Sequence, residues 1–121
     1  MKGLGIDLCS VQRMETMMKE TFLMRYYTQE EREYLLSRGA AAPESAAAMF
    51  AAKEAFLKAI GTGIGRGVEL SQIGVGHTEF GAPVYVLGEQ AQERLRAMGA
   101  SQAFLSMTHE GGMAAAVCVI E

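Results

Sequence analysis

An acid and a lysine four positions apart are the residues of this sequence whose types and spacing best suit phosphate chemistry. Glu54 and Lys58 belong to the segment 53–58, Lys-Glu-Ala-Phe-Leu-Lys, and in a helix they share one face. Glu54 also falls between Phe50 and Leu57 on the helical net, so its carboxylate emerges from apolar surroundings, where a charge needs a partner. The alternative interpretation is an ordinary surface pair, which contributes only ~0.3–0.5 kcal/mol.

A glycine-rich loop, Gly61-Thr62-Gly63-Ile64-Gly65, follows this charged turn directly. Its backbone N–H groups can meet phosphate oxygens, and Lys58 supplies a positive charge for the same anion. Because the loop follows a helix rather than opening one, neither the P-loop nor the dinucleotide-binding fingerprint applies. Glycine also ends helices, so the loop alone is weak evidence for phosphate binding.

Asp7 is a second carboxylate that can complete an oxygen-rich site with Glu54. Magnesium prefers octahedral oxygen ligands, retains waters and commonly bridges one or two carboxylates to a pyrophosphate. Gly3 and Gly5 remove side chains beside Asp7, so that a ligand or another backbone can lie close to it. The alternative for Asp7 is a strand-end acid that accepts backbone N–H bonds.

Hydroxyl and imidazole groups end a predicted strand in the segment Ser106-Met107-Thr108-His109. Such a group can hold a polar ligand, although a histidine in a turn is more often simply exposed. His77 has no comparable setting and is interpreted as a surface residue. Cys9 and Cys118 lack a Cys-x-x-Cys spacing and are interpreted as small buried hydrophobic residues.

The periodicity of the chain predicts the elements that must position these residues. Residues 2–8 alternate apolar side chains with glycine and Asp7, which indicates a half-buried strand in which Asp7 points away from the apolar face. The apolar members are Leu4, Ile6 and Leu8. A long helix begins with Pro43 in its first turn and runs to about Ile60, where Gly61 stops it.

Weaker signals predict the other elements, with the last strand central because both of its faces are apolar. These elements are a helix capped by Ser10, a helix from a capping box at Thr28 through Arg38, strands over 68–75 and 84–87 with a bend at 81–83, a helix carrying Ala91, Leu95 and Met98 that Gly99 ends, and a hairpin of 103–108 and 113–120 joined across 110–112. Together they describe an α+β fold, a small antiparallel sheet packed against one long and several shorter helices.

Length and charge exclude several classes of protein. A chain of 121 residues is one domain, residues 1–121, by ordinary size. A formal charge of -3 argues against a general nucleic-acid binder. An acid at position 7 comes too early for a secretory signal, and no apolar run reaches the ~20 residues of a membrane span. The expected location is cytoplasmic.

Five blocks in order resemble the holo-acyl-carrier-protein synthases of the 4'-phosphopantetheinyl transferase superfamily, and the resemblance spans nearly the whole chain. The blocks are Gly5-Ile6-Asp7 with Arg13; Phe22, Arg25 and Tyr27-Thr28 with Glu31; Phe50-Ala51-Ala52-Lys53-Glu54-Ala55 with Lys58-Ala59 and Gly61-Thr62-Gly63; Gly81-Ala82-Pro83-Val84; and Ser106-Met107-Thr108-His109. Five ordered blocks are far more specific than any one of them.

This resemblance implies a role for each matching residue. Asp7 and Glu54 would hold magnesium against the pyrophosphate of coenzyme A, with Lys58 as the third catalytic residue. The coenzyme would be bound by Lys58, Gly61, Thr62, Gly63, Gly65, Thr108 and His109. Arg13 and Arg25 would contact an acidic acyl carrier protein, and a homotrimer would place each site between two subunits, so that different chains could supply Asp7 and Glu54.

The implied reaction transfers 4'-phosphopantetheine from coenzyme A to a serine of the apo-carrier protein, for fatty acid biosynthesis. Either Glu54 or a metal-bound water could take the serine proton. Met49 stands where the family usually has arginine, and Ser10 where an acid is common. The competing hypotheses are a non-catalytic carrier-binding scaffold and a magnesium-dependent hydrolase of nucleotide pyrophosphates.

Overall fold

One central helix lies against a three-stranded antiparallel sheet in the computed structural model, which describes residues 1–61 and 67–121. The strands are β1 (Gly3–Ser10), β2 (Ile73–His77), β3 (Pro83–Leu87), β4 (Ala103–Glu110) and β5 (Met113–Ile120), and the helices are α1 (Val11–Met17), α2 (Glu20–Tyr26), α3 (Gln29–Ser37), α4 (Ala42–Ala59) and α5 (Glu89–Ala97). The first sheet has the order β1-β5-β4, and β2 pairs with β3 in a second sheet. The α+β class and the central position of the last strand are thereby confirmed.

Helix α4 begins and ends where its sequence predicts. Pro43 lies in the first turn, and Gly61, with φ of 78°, follows the C-cap residue Ile60. The helix is buried on almost every side from Ala46 to Ala59, because its many alanines let the sheet and the smaller helices approach it closely. None of the helices in the described part of the chain is both long enough and apolar enough to cross a membrane.

The face assignment of β1 is the main correction to the sequence analysis. Leu4, Ile6 and Leu8 are 58%, 65% and 60% exposed, so the apolar face points out of the subunit. The opposite face, which carries Gly5 and Asp7, lies on α4. A side chain at Gly5 would place its Cβ atom 2.7 Å from the backbone nitrogen of Ala59 and closer still to the carbonyl oxygen of Ala55. The glycines therefore make room for another backbone, which is one of the two expectations for them.

Two other elements differ from the prediction. Helix α2 was not predicted, because the break before it at Met18 and Lys19 has no side-chain cap and no proline or glycine to mark it. Strand β2 begins at Ile73 rather than Val68, since a 3-10 turn occupies Leu70–Gln72. The helix capped by Ser10, the capping box at Thr28 and the 103–120 hairpin are confirmed.

A buried ion pair explains the turn before β2. The side chains of Lys53 and Glu31 are 0% and 1% exposed, and Lys53 Nζ lies 2.7 Å from Glu31 Oε1. Lys53 also donates to the carbonyl oxygens of Leu70 and Ile73, which bends the backbone between them. Glu31 Oε2 accepts from the backbone N–H of Val75, so one pair joins α3, α4 and β2. Burial lowers the pKa of Lys53, and the charge of Glu31 opposes this shift.

We predict that Lys53→Met will lower the free energy of unfolding by about 3–5 kcal/mol, because it leaves the Glu31 carboxylate buried without its counter-ion. Urea denaturation measures the effect. Adding Glu31→Gln to the variant should recover part of the loss. The matched control is Arg96→Met, which breaks the exposed Arg96–Glu89 pair and should cost about 1 kcal/mol or less. Equal losses at the two sites would contradict the prediction.

Gly5→Ala should separate β1 from α4, because the new Cβ would overlap helix backbone that cannot move aside. Overpacking of this kind costs about 1–3 kcal/mol and occasionally more. Gly76→Ala is the control, since its Cβ would meet side chains and no backbone, with Val86 at 3.1 Å and Val84 at 3.8 Å. Thermal unfolding of the two variants should show the larger shift for Gly5→Ala, and the reverse order would show that the contact is not tight.

Candidate active site

The contact between β1 and α4 brings together the three residues on which the sequence analysis centred. Lys58 Nζ donates to Asp7 Oδ1 at 2.8 Å and to the carbonyl oxygen of Ile6 at 3.1 Å. Its pKa is raised, first by the hydrogen bond to Asp7 and then by the charge of that residue. The lysine therefore pairs with an acid distant in sequence and not, as the simpler alternative had it, with Glu54 one turn away.

Glu54 is half-buried beside this pair. Desolvation raises the pKa of its carboxyl group, the neighbouring Asp7 charge raises it further, and Lys58 opposes both. Within residues 1–61 and 67–121, no group donates a hydrogen bond to the Glu54 carboxylate. Asp7 and Glu54 thus lie within electrostatic reach of each other in a single chain.

This donor set fits a hard cation. Two carboxylates contribute oxygen ligands, while the described residues hold no cluster of three or more histidine, cysteine and acidic side chains. Magnesium requires no such cluster, because it is commonly bound by one or two carboxylates together with waters and substrate phosphates. The half-buried Glu54, with no hydrogen-bond donor on it in the described chain, is the observation that favours an added cation.

Cys9 and Arg13 adjoin the carboxylates. The thiol of Cys9 is buried, and its pKa is raised by desolvation, lowered by Arg13 and raised by Asp7 and Glu54. The guanidinium of Arg13 is therefore within electrostatic reach of this part of the chain. Ser10 accepts a hydrogen bond from the Arg13 backbone N–H and so caps α1. Both cysteines are free and buried, as expected.

Arg13 and Arg25 are both exposed, as the sequence analysis anticipated. Arg25 lies near the end of α2, and its guanidinium is 5.4 Å from the centre of the Tyr26 ring. No ion pair to an acid ties down either side chain within the described residues. Each therefore has a solvent-exposed guanidinium group.

Thr108 and His109 lie away from the carboxylates. His109 Nδ1 is 3.1 Å from Glu44 Oε2 in the first turn of α4. Glu44 and Glu54 are ten residues apart on that helix, or about 15 Å. A single chain therefore has two separate groups of polar residues, one at each end of α4.

The end of α4 near His109 forms a cavity of about 200 Å³. Thr108 and Met49 line it, together with residues that the sequence analysis missed or took for plain surface. These are Tyr34, Arg38 and His77. His77 is exposed as predicted but stacks on Tyr34 at 4.7 Å between ring centres, and burial lowers its pKa, with Arg38 adding to the effect.

Arg38 shows why this cavity was hard to find. It follows α3 and donates to Ser45 Oγ, so it reaches the cavity only through the fold. No spacing in the sequence indicates this. The structure thus places the positively charged guanidinium group of Arg38 near Met49, which stands where the family pattern has arginine. Of the predicted loop residues, Gly61 ends α4, whereas Thr62, Gly63 and Gly65 lie outside the described residues.

Comparisons with known proteins agree on one family. The sequence profile of the 4'-phosphopantetheinyl transferase superfamily matches residues 3–118. A holo-[acyl-carrier-protein] synthase of Treponema denticola is 44% identical over 120 residues, which cover 98% of this chain and 97% of that protein.

Solved structures give the same result. The holo-[acyl-carrier-protein] synthase (AcpS) of Neisseria meningitidis has a TM-score of 0.90 at 35% identity, covering 99% of this chain and 98% of that one. The synthase of Helicobacter pylori, solved in complex with coenzyme A, has a TM-score of 0.84 at 29% identity, covering 98% and 99%.

Proposed function

This chain belongs to the 4'-phosphopantetheinyl transferase superfamily, and from that premise we propose that it is a holo-acyl-carrier-protein synthase. It transfers the 4'-phosphopantetheine group from coenzyme A to a serine of apo-acyl carrier protein, for fatty acid biosynthesis. The observation that carries the proposal is the meeting of Asp7, Glu54 and Lys58 at the contact of β1 with α4. These residues belong to the blocks by which the sequence resembles the family.

The reaction joins the serine oxygen to the β-phosphorus of coenzyme A and breaks the bond from that phosphorus to the bridging oxygen. The electron pair leaves on adenosine 3',5'-bisphosphate. Asp7 and Glu54 would hold magnesium, which when bound neutralises charge on the pyrophosphate. Lys58 has an exposed ammonium group that can turn to the departing phosphate. Either Glu54 or a bound water would accept the serine proton.

The coenzyme would extend from the carboxylates to Thr108 and His109. Since these groups lie at opposite ends of α4 in one chain, we infer that a neighbouring subunit supplies the second group.

The phosphate contacts predicted for Gly61, Thr62, Gly63 and Gly65 remain part of the proposal. So do the cytoplasmic location and the single domain over residues 1–121.

The outward face of the main sheet supports a homotrimer. Cross-strand partners share a face, and the register places four residues from each strand on this side. They are Leu4, Ile6, Leu8, Ser10, Phe104, Ser106, Thr108, Glu110, Met113, Ala115, Val117 and Val119. Most are apolar, and Leu4, Ile6, Leu8 and Phe104 are more than half exposed. An apolar face of this size on a small chain is typical of a subunit interface.

Mass spectrometry of the carrier protein tests the transfer. The protein is incubated with apo-acyl carrier protein, coenzyme A and magnesium, and the carrier is weighed before and after. Addition of one phosphopantetheine group to the carrier is expected. Release of free phosphopantetheine with an unmodified carrier would instead show a hydrolase, and binding without turnover would show a scaffold.

Glu54→Gln should lower the transfer rate by at least about 100-fold, because it removes the charge of a proposed metal ligand while changing the side-chain volume little. Unfolding midpoints measured alongside should stay unchanged, since Glu54 makes no hydrogen bond in the described structure. Glu93→Gln, on the exposed side of α5, is the matched control. Near-normal activity of Glu54→Gln at limiting magnesium would remove this residue from the metal site.

Light scattering should give the mass of three 13.0 kDa chains at micromolar concentration. Ile6→Lys places a charge midway along β1 on the outward sheet face and should yield monomer, because burying an unpaired ammonium there is costly. Gln12→Lys, on the exposed side of α1, makes a similar change elsewhere and should remain trimeric. A wild-type protein of monomer mass would refute the trimer.

Charge reversal at Arg13 or Arg25 should raise KM for the carrier protein by roughly tenfold at low salt, with little change in KM for coenzyme A. The reason is that an acidic carrier meets an enzyme of net charge -3, so that local positive charge must guide the encounter. Arg96→Glu on α5 is the control. If the variants keep the wild-type KM and salt dependence, neither arginine belongs to the docking surface.

A further inference from the structure

The contact between Lys58 and Asp7 places a positive charge on a carboxylate that the proposed metal needs. Lys58 Nζ lies 2.8 Å from Asp7 Oδ1, and a magnesium ligand oxygen lies 2.0–2.1 Å from its metal. A cation bound to the same oxygen would therefore be less than about 5 Å from the ammonium group. At that distance a divalent cation and the lysine repel each other strongly.

We infer that Lys58 is a built-in counter-ion, which holds Asp7 until substrate phosphate draws it away and so makes metal binding depend on substrate. The inference rests on the proposed function, because it takes Asp7 and Glu54 as the metal ligands. It goes beyond that function by giving Lys58 a role before the substrates bind.

The surroundings of Lys58 allow this exchange. The Lys58 side chain is 55% exposed, whereas that of Asp7 is 18% exposed, so the lysine is the partner that can move. Its ammonium has three donors, of which Asp7 and the carbonyl oxygen of Ile6 each accept one. Moving away therefore costs a hydrogen bond to strand β1 as well as the ion pair, and a pyrophosphate offers oxygens that can replace both.

Glu54 remains without a counter-ion of its own in the resting site. Lys58 is directed to Asp7 instead, and no hydrogen bond to the Glu54 carboxylate occurs in the described residues. The site accordingly offers an entering cation one carboxylate without an ammonium partner and one whose charge is already balanced by Lys58. A metal alone binds weakly to such a site, whereas a metal that arrives with a pyrophosphate gains Asp7 as well.

This exchange couples the two ligands. Substrate that removes Lys58 from Asp7 raises the affinity for metal, and by linkage metal raises the affinity for substrate by the same factor. The lysine would thereby keep the site from filling with metal when no coenzyme is present.

Manganese binding in the absence of substrate tests the inference, with Mn²⁺ as the probe and electron paramagnetic resonance of the free ion as the readout. Lys58→Met should bind Mn²⁺ roughly threefold or more tightly than the wild type, because it removes the competing charge. The control is Lys19→Met, which removes an exposed lysine before α2 and should leave the affinity unchanged. Asp7→Asn should bind more weakly than the wild type.

Equal or weaker Mn²⁺ binding by Lys58→Met would overturn the inference and leave the transferase function standing, since that function is tested separately by the mass of the carrier protein. Wild-type affinity in Asp7→Asn would show that the cation does not use Asp7, which overturns both the inference and the metal assignment. Absence of Mn²⁺ binding by every form would do the same. Tighter binding confined to Lys58→Met is the result that supports a counter-ion role.

Discussion

Strand β1 and helix α4 touch backbone to backbone, and the positions of the candidate catalytic groups depend on that contact. Gly3 and Gly5 present no side chains to the helix, and a Cβ at either position would overlap the backbone of α4. The approach brings Asp7, two residues beyond Gly5, within 2.8 Å of Lys58. Larger residues at the glycines would push the strand outward and open this ion pair. The geometry of the site thus depends on the absence of side chains at Gly3 and Gly5.

The buried Lys53–Glu31 pair fixes the other side of the same helix. Lys53 and Glu54 are neighbours in sequence but point to different parts of the fold, the lysine to α3 and β2 and the glutamate toward β1. An ion pair without solvent contact tolerates little displacement, because each charge loses its buried counter-ion when they separate. Rotation of α4 that moved Glu54 away from Asp7 would therefore also pull Lys53 from Glu31. The helix is held from both sides, and Glu54, the proposed metal ligand, lies between these contacts.

Local signals predicted the elements better than they predicted the faces. The capping box at Thr28 and the Gly61 stop depend on interactions within a few residues, so the sequence contains all that determines them. The alternation in residues 2–8 correctly indicated a strand, yet its apolar face points outward. Periodicity indicates that the apolar face of a strand must be buried, but it does not identify the element or subunit that buries it. Arg38 lines its cavity, and Lys53 bonds to the turn before β2, through contacts between segments that are distant in sequence. Rules based on local residue spacing cannot predict such contacts.

The outward apolar face and the separation of polar groups along α4 have one explanation in the proposed trimer. Leu4, Ile6 and Leu8 alternate with the residues that pack on α4, so each strand position serves either the subunit interior or the proposed interface. Thr108 lies on the same outward face as Leu8 through the register of β4, β5 and β1. Association through this face would carry one subunit's Thr108 and His109 toward a neighbour, whereas within one chain they stay about 15 Å along α4 from Glu54. The contact that hides the apolar face would then be the contact that completes the site, so that an isolated subunit would lack part of the coenzyme's binding surface even when correctly folded.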